Sequence, residues 1–298
     1  MITRKMTQPL RVVLVHWNQP DACAQTIRWF LDSTVPVEVL VVDNGSEEAG
    51  LERLRRSIAD IGDGARLVET GINLGFGPGA NVGLCDFLAD DTAGSWIALA
   101  PHDAQPSREC LEQMLDAAQS HPMAGLMCAD VGDGMTPVID PYFGGMVVPA
   151  DPSTPKPELG EARWESVDYP HGTLMMLSRA CLEEVGLFDE RYFSYCEEAQ
   201  LASRATAAGY EVGLIRGARV TNTHIGSGVR IVDYLQTRNT LLFVREHSGN
   251  YHAFIRLCIA IIQLAKGVIV PSQRPLIFDP FARLLGIRDY VLGRFGPP

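Results

Sequence analysis

Two apolar runs rich in β-branched residues near the start of the chain constrain its fold most. Residues 11–16 (RVVLVH) and 37–42 (VEVLVV) have the composition of buried strands, and the amphipathic segment 22–32 separates them. This spacing predicts a βαβ unit with two parallel strands. Because such strands need cover on both faces, we expect an α/β fold with a mixed, mostly parallel central sheet flanked by helices.

The residues that directly follow the predicted strands are the first candidates for binding a ligand, because open parallel sheets bind ligands beyond the carboxyl ends of their strands. They are Trp17 and Asn18 after the first run, Asp43 and Asn44 after the second, and His102 and Asp103 after the run SWIALA at 95–100. The sequence DNGS at 43–46 also suits an ordinary turn with a helix cap. Its place at a strand end favours a binding role for Asp43, whose carboxylate can accept hydrogen bonds from a ribose or a base.

A glycine-rich segment, NLGFGPGANVG at 73–83, comes next. Glycines let the backbone approach a ligand closely and present its amide groups, so this segment is a candidate phosphate-facing loop. The residues that carry this prediction are Asn73, Gly75, Gly77 and Asn81. Gly75, Gly77 and Ala80 also match the GxGxxA dinucleotide fingerprint, but not in the first strand-to-helix turn, and we interpret that match as accidental.

Asp103 and His224 are the candidate metal ligands. A carboxylate at the sheet edge can hold a hard divalent cation, Mg or Mn, against a diphosphate. Asp103 could instead cap the following helix, but Ser107 is better placed for that role. His224 follows the strand-like run at 211–220 and precedes glycines. A lone histidine is more often a structural residue than a ligand.

Two adjacent carboxylates, Glu197 and Glu198, follow the aromatic cluster YFSY at 192–195. Like charges side by side shift each other's pKa, and a shifted carboxylate can remove the proton of an alcohol. They are therefore the candidates for catalysis. The alternative is an exposed helix start, where acidic residues complement the helix dipole.

Charge and cysteine usage exclude some classes of protein. The formal charge of −11 argues against a general nucleic-acid binder. The seven cysteines are scattered and lack metal-binding spacing, so we expect reduced, structural thiols. Residues 1–17 show no secretory signal, and we expect a cytoplasmic location.

One apolar stretch, 257–264, lies between Arg256 and Lys266. It is shorter than the about 20 residues that cross a bilayer. Its surroundings predict a helix that either closes the core or lies on a membrane surface, and we favour core packing.

The order of these motifs resembles the inverting family 2 glycosyltransferases of GT-A fold, particularly their rhamnosyltransferase-like branch. The resemblance covers most of the chain. It rests on VVLVHWN, VVDNGS, NLGFGPGANVG, LAPHDA, the block at 170–210 that contains PHGTLMML and YFSYCEE, and THIGSG. It implies a GT-A domain at 1–230, with a nucleotide-binding half to about 105 and an acceptor-binding half at 106–230. A C-terminal helical extension occupies 231–298.

The resemblance also implies roles for individual residues. Asp43 would bind the nucleotide base, Asp103 would hold the metal on the donor diphosphate, and His224 would join it. Glu198 would be the catalytic base, with Glu197 orienting the acceptor or the base. The implied reaction moves a sugar from a dTDP- or UDP-sugar, dTDP-rhamnose among them, to an acceptor hydroxyl with inversion.

This sequence departs from the family pattern at two positions. Ala104 replaces a second carboxylate that is frequent in the metal motif, which implies weaker metal affinity. Glu198 replaces the usual Asp and extends the acid by one methylene.

On the acceptor side, the resemblance points to Gly172 and Arg204. Gly172 could instead belong to a simple turn at the start of a strand. Arg204 could instead pair with a carboxylate of its own helix or be solvated. Arg238 and Asn239 match a pair that precedes the closing helices, where a structural role is expected. The proline-rich stretch 147–164 predicts an irregular loop over this side. The acceptor would be a glycan, a lipid-linked molecule or a small molecule, and the resemblance admits peripheral membrane contact and a homo-oligomer.

Two other functions compete with a glycosyltransferase. Ala104 and the altered acidic pair are compatible with a nucleotide-sugar-binding protein without catalysis. The GxGxxA match would suit an NAD-dependent oxidoreductase. The first would bind a donor without turnover, and the second would bind NAD without a divalent cation.

Overall fold

The computed structural model of the chain describes residues 8–152, 161–222 and 228–298, and a large sheet crosses its centre. The strands among these residues are β1 (Leu10–His16), β2 (Val37–Asp43), β3 (Ala65–Glu69), β4 (Trp96–Pro101), β5 (Ala104–Pro106), β6 (Ala124–Asp130), β7 (Met135–Asp140), β8 (Gly144–Pro149), β9 (Arg163–Ser166), β10 (Met175–Ser178) and β11 (Glu211–Asn222). The helices are α1 (Pro20–Leu31), α2 (Glu48–Ile61), α3 (Phe76–Leu88), α4 (Cys110–Gln119), α5 (Arg179–Val185), α6 (Glu197–Ala207), α7 (Val229–Ser248), α8 (Asn250–Ile269) and α9 (Pro280–Val291).

The sheet has the strand order β3-β2-β1-β4-β10-β6-β11-β5, with β9 also paired to β11. Strands β3, β2, β1 and β4 run parallel, as do β6 and β11, whereas β10 runs antiparallel between β4 and β6. The predicted runs 11–16, 37–42 and 95–100 are β1, β2 and β4. The predicted α/β class is confirmed, and the carboxyl ends of these three strands meet at one edge.

Alternating side chains of the strands fill two separate cores. Val12, Leu14 and Val39 point to the face that α1, α2 and α4 cover. Val13 and Leu40 point to the opposite face, which α3, α5 and α6 cover. The apolar strands are thus buried on both sides, which explains why their sequences do not alternate with polar residues.

Two local predictions differ from the structure. The segment after Asp103 does not start a helix capped at Ser107, because β5 pairs antiparallel with residues 220–222 of β11 and α4 begins only at Cys110. The stretch 147–164 is also less irregular than predicted. Its ends belong to β8 and β9, and residues 153–160 lie outside the described residues.

The last three helices pack against one another, but only a narrow seam along one side of α8 is buried. Its buried residues are Ala253, Ala260 and Gly267, spaced seven apart on one side of the helix. The exposed apolar side chains of α8 lie mainly on the opposite side: Tyr251, Phe254, Ile261, Ile262, Val268 and Ile269. The expectation that this helix closes the core is therefore wrong for its outer face.

The length of α8 also corrects the sequence analysis, which counted only the uninterrupted run 257–264. Among the described helices, α8 alone is long and apolar enough to cross a membrane, and little of it is buried. Length and composition by themselves do not distinguish a spanning helix from a surface helix.

Candidate active site

The nucleotide-side edge of the sheet is organised around a buried pair, His16 and Asp43, at the ends of β1 and β2. The backbone N–H of Gln19 donates to His16 Nε2 at 3.1 Å, so Nδ1 carries the proton and donates to Asp43 Oδ1 at 2.8 Å. The backbone N–H of Ser46 donates to Asp43 Oδ2 at 3.1 Å. Burial has the largest effect and raises the pKa of Asp43, but the hydrogen bonds from His16 and Ser46 lower it below its ordinary value. Asp43 is therefore an ionised, rigidly held carboxylate.

Trp17 and Asn18 cover the same edge from outside. Asn18 has a left-handed backbone, with φ of 53°, and its N–H donates to Ser46 Oγ at 2.8 Å. Its side-chain oxygen accepts the N–H of Glu47 at 2.8 Å, just before α2. Trp17 is 43% exposed. The end of β1 thus carries an exposed aromatic side chain directly after the buried pair of His16 and Asp43.

Asn44 ties the glycine-rich segment to this edge. Its amide nitrogen donates to Gly75 O at 2.7 Å and to Asn73 Oδ1 at 3.2 Å, and its oxygen accepts the N–H of Leu74 at 3.0 Å. Gly75 has a positive φ of 92°, and a Cβ there would lie 2.2 Å from Phe193 O. Only glycine can occupy this position, because the loop presses against the segment that precedes α6.

Asn81 and Gly77 continue that contact from α3. The side-chain amide of Asn81 donates to Phe188 O at 2.9 Å and accepts the Phe188 N–H at 3.0 Å. A Cβ on Gly77 would lie 3.3 Å from Glu197 Cγ. These residues join the glycine-rich segment to the acidic pair, and their described contacts are with protein rather than with open space.

Asp103 lies at the end of β4, where β5 turns towards β11. It is buried, and its Oδ1 accepts a hydrogen bond from Asn222 Nδ2 at 3.2 Å. The neighbouring His102 contacts Val15 O through Nδ1 at 3.2 Å. Asn222 stands two residues before His224 in the sequence, but His224 lies outside the described residues. Within the described residues, no group of three or more His, Cys, Asp and Glu side chains is arranged to hold a metal.

Glu197 and Glu198 begin α6 and face different surroundings. Glu197 is buried, and its Oε2 has no hydrogen-bond partner among the described residues. Burial and the charge of Glu198 raise the pKa of Glu197 well above its ordinary range. Burial also raises the pKa of Glu198 to about 7, against the effect of a backbone hydrogen bond. A carboxylate that titrates near neutrality can act as a general base for a hydroxyl.

The segment before α6 is strained, and Asn239 of α7 holds it. Phe193, Tyr195 and Cys196 all have positive φ, at 62°, 71° and 73°. The amide nitrogen of Asn239 contacts the carbonyl oxygens of Tyr192, Ser194 and Tyr195 at 2.6, 2.7 and 2.9 Å. Left-handed backbone at non-glycine residues persists only where neighbouring groups impose it. The start of α6 is therefore set by a side chain of the C-terminal helices.

A cavity of about 370 Å³ opens beside Glu198. Gly172, Tyr169 and His171 form one side of it, and the three C-terminal helices form the other. The residues that those helices contribute are Asp233, Gln236, Thr237 and Thr240 from α7, Arg256, Ala260 and Gln263 from α8, and Arg283 from α9. A Cβ on Gly172 would lie 2.4 Å from Glu198 Oε1, so the absence of a side chain at 172 leaves room for this carboxylate.

The comparisons with known proteins identify the family. The model of the family described as Glycosyl transferase family 2 matches residues 11–186, which is more than half of the 298 residues. The chain is a family 2 glycosyltransferase. The resemblance found in the order of its motifs is confirmed.

Curated relatives of this glycosyltransferase span most of its length. It is 28% identical over 251 residues to the N-acetylglucosaminyl-diphospho-decaprenol L-rhamnosyltransferase of Mycobacterium tuberculosis, covering 74% of this chain and 79% of the relative. It is 26% identical over 218 residues to the low-salt glycan biosynthesis hexosyltransferase Agl10 of Haloferax volcanii, covering 69% of this chain and 66% of the relative.

Solved structures show that the fold is of GT-A type. A mannosyltransferase from Pyrobaculum calidifontis in complex with GDP-Man and Mn²⁺ matches with a TM-score of 0.60 and 14% identity, over 97% of this chain and 89% of that one. GalNAc-T7 with UDP, GalNAc and Mn²⁺ matches with a TM-score of 0.62 and 14% identity, over 94% of this chain and 54% of that one. At such identity the likeness concerns the fold.

Arg204 of the glycosyltransferase lies away from the cavity. Its guanidinium donates to the carbonyl oxygens of Val185 and Leu187, and its Nε donates to Gln200 Oε1 at 3.1 Å. The sequence leaves open whether Arg204 pairs with a carboxylate of its own helix or is solvated. These contacts fit neither alternative. Arg204 satisfies the carbonyl oxygens at the end of α5 and anchors α6 there.

Sequence reasoning missed the cavity residues of the C-terminal helices. Arg256 and Gln263 are seven residues apart, and both are polar within a largely apolar helix. That spacing places them on the same side of α8. Polar side chains at this repeat could have indicated that one side of α8 faces a polar site.

All seven cysteines fall within the described residues, and none of them forms a disulfide. Burial raises the pKa of Cys181 to about 11 and that of Cys128 to about 12. These thiols pack inside the molecule as neutral groups, in agreement with the predicted structural role.

Proposed function

We propose that this glycosyltransferase moves a sugar from a nucleoside diphosphate sugar to an acceptor hydroxyl by a single displacement that inverts the anomeric carbon. The observation that carries the proposal is the position of Glu198, whose carboxylate faces a cavity, contacts Gly172 and has a pKa of about 7. As the hydroxyl oxygen bonds to the anomeric carbon and the diphosphate leaves, Glu198 takes the hydroxyl proton.

Glu197 supports this base without contacting the cavity. Burial and the charge of Glu198 raise the pKa of Glu197 well above its ordinary range, which favours a protonated Glu197 beside an ionised Glu198. Its packing against Gly77 also links the acidic pair to the glycine-rich segment. In this proposal Glu197 is a positioning residue, and Glu198 is the catalytic residue.

The donor nucleotide is proposed to lie at the carboxyl ends of β1, β2 and β4. Asp43 would accept hydrogen bonds from the base, Trp17 would cover the ring, and Asn18 would shape the turn beneath it. Asn44, Asn73, Gly75, Gly77 and Asn81 would keep the glycine-rich segment in place beside the donor, since their contacts fix its backbone. His102 would line the diphosphate side.

A divalent cation, Mg or Mn, fits the proposed donor site. Asp103 offers a hard oxygen ligand at the end of β4, and one carboxylate together with substrate phosphates is a usual way to hold Mg²⁺. His224 is the further ligand proposed. When bound, the cation would neutralise charge on the leaving diphosphate.

The sugar and the acceptor are proposed from the curated relatives. The name of the rhamnosyltransferase relative favours a rhamnosyl group and a lipid-linked acceptor. A dTDP- or UDP-sugar, dTDP-rhamnose among them, is the donor that we propose. The exposed apolar side of α8 supports that acceptor, because such a face can lie in the surface of a membrane where a lipid carrier is held. The protein would then act at the cytoplasmic surface of the membrane.

Binding of nucleotides tests this function directly. Thermal shift or calorimetry would compare UDP, dTDP, GDP and NAD, each with and without Mn²⁺. We expect one pyrimidine diphosphate to stabilise the protein and Mn²⁺ to strengthen that effect. A response to NAD alone, independent of the cation, would favour an oxidoreductase and overturn the proposal.

A further inference from the structure

Arg256 is a half-buried cation that forms no ion pair among the described residues. It projects from α8 into the cavity, and its Nε and Nη1 are shielded from solvent and lack a hydrogen-bond partner among the described residues. Its guanidinium also lies 5.6 Å from the centre of the Phe143 ring. Because a guanidinium stays protonated, shielding two of its nitrogens from water without a hydrogen-bond acceptor is costly unless a ligand supplies one.

The other charges of the cavity do not neutralise Arg256. Asp233 is occupied by Arg283, whose Nε and Nη2 donate to its Oδ1 at 2.9 and 2.6 Å, and by the backbone N–H of Asp279 at 2.7 Å. Glu198 lines the same cavity, but no ion pair joins it to Arg256 among the described residues. Arg283 adds to the positive potential, and together with burial it lowers the pKa of Arg256.

A phosphate group could supply the hydrogen-bond acceptors that the Arg256 guanidinium lacks among the described residues. An arginine fork donates two parallel hydrogen bonds to phosphate oxygens, and Thr237, Thr240, Gln236 and Gln263 supply further polar groups around the cavity. Within the described part of the chain, the cavity lining includes none of His16, Asp43 and Asp103. A phosphate bound in this cavity would therefore be distinct from a donor diphosphate held at the sheet edge.

We propose that Arg256 binds a phosphate of the acceptor, so that the sugar whose hydroxyl faces Glu198 is carried on a phosphate or diphosphate. This rests on the proposed function and narrows its acceptor class. It also gives α8 two connected roles. Its inner side would hold the phosphate, and its outer apolar side would lie against the membrane that contains the lipid.

Direct binding tests the inference without requiring turnover. Calorimetry would titrate farnesyl diphosphate, farnesyl phosphate and farnesol into protein saturated with UDP and Mn²⁺, which keeps the nucleotide site occupied. For Arg256→Gln we expect about 10- to 100-fold weaker binding of the two phosphorylated ligands, and unchanged binding of farnesol. Lys266→Gln is the matched control, since it removes a positive charge from the exposed side of the same helix and should bind all three as wild type does.

Other outcomes overturn the inference. Wild-type affinity of Arg256→Gln for farnesyl diphosphate would show that the phosphate is held elsewhere. An equal loss for farnesol would indicate a structural role, and a loss confined to UDP with Mn²⁺ would assign Arg256 to the donor. Because removal of an unpaired buried charge should not lower the melting temperature, a lower one would also count against the inference. Arg256→Met, of similar length, replaces the Gln variant if that variant does not fold.

Transfer assays separate this inference from the proposed function. N-acetylglucosamine would be offered to the wild type and to Arg256→Gln either on a short prenyl diphosphate or as an octyl glycoside without phosphate. We expect the variant to raise KM only for the diphosphate acceptor. Failure of the proposed function would appear differently, as absent Mn²⁺-dependent nucleotide binding in the wild type.

Discussion

Gly172 contacts the carboxylate of Glu198 so closely that a Cβ at position 172 would lie 2.4 Å from Glu198 Oε1. The backbone before β10 thereby defines where this carboxylate stands in the cavity. Gly172 is not in the left-handed region, so the requirement for glycine at this position comes from space and not from backbone strain.

Gly172→Ala should therefore displace the base. We expect transfer to fall at least about tenfold, because small displacements of a reacting group are costly, while affinity for the donor nucleotide stays within about twofold. Steady-state kinetics and nucleotide calorimetry measure the two quantities. Gly94→Ala is the control, since a Cβ there meets nothing within 4 Å. Wild-type transfer by Gly172→Ala would show that the carboxylate position is not critical.

The pH dependence of transfer follows from the pKa of Glu198, raised by burial to about 7. The base works only when ionised, so kcat/KM should rise with pH through about 7 and then level off. The rate profile of the wild type checks this expectation. A profile that is flat from about pH 5.5 to 9 would remove Glu198 from the role of base.

Stability should change with pH in the opposite direction. Folding favours the protonated form of Glu198, so its contribution is fully present below the ordinary pKa of 4.5 and is lost as pH rises through about 7. Glu198→Gln does not ionise. Denaturant unfolding should therefore show the variant gaining stability relative to wild type between these pH values, and a constant difference would contradict the raised pKa.

Loss of the Asn239 side chain should lower kcat by more than the loss of folding stability explains. Asn239→Ala leaves the carbonyl oxygens of Tyr192, Ser194 and Tyr195 without this donor, which should cost about 1–3 kcal/mol and release the strained segment before Glu197. We expect kcat to fall while nucleotide affinity is kept. Leu54→Ala, in a core far from the site, is the control, because it loses about 2–5 kcal/mol without touching the segment. Equal kcat values for the two variants would reduce Asn239 to a stability role.

A substitution of Asp103 tests the proposed cation site most directly. Asp103→Asn keeps an acceptor for Asn222 but removes the charge, so Mn²⁺ should no longer strengthen binding of the nucleoside diphosphate, a loss of about tenfold or more. Calorimetry with and without Mn²⁺ measures it. Asp63→Asn, at the surface, should behave as wild type. Undiminished cation dependence in Asp103→Asn would place the metal elsewhere.

The nucleotide half of the fold was readily predicted from the sequence. The runs that became β1, β2 and β4 are apolar on both sides, and such runs have few alternatives to a buried parallel strand. The sequence also names Glu198 and Gly172 as candidates, and the structure shows that they are in contact. Their contact joins residues that are far apart in the chain, and no local pattern predicts it.

The C-terminal half of the site could not be predicted in the same way. The apolar composition of α8 suggested core packing, because hydropathy does not reveal which side of a helix has a partner. Its partner surface is only the narrow seam of Ala253, Ala260 and Gly267. Asn239 contacts the distant segment before α6, and Arg256 lines a cavity built from several elements, so only the structure shows what surrounds them.

The central claim is that Glu198 is the base of an inverting glycosyl transfer, and Glu198→Gln tests it most directly. The substitution keeps the size of the side chain but cannot accept the proton. Sugar transfer and donor binding would be measured on the same preparations, with Glu183→Gln at the exposed surface of α5 as the control. The account predicts that transfer falls about 100-fold or more while donor affinity stays within about twofold. Retained turnover in Glu198→Gln would contradict it.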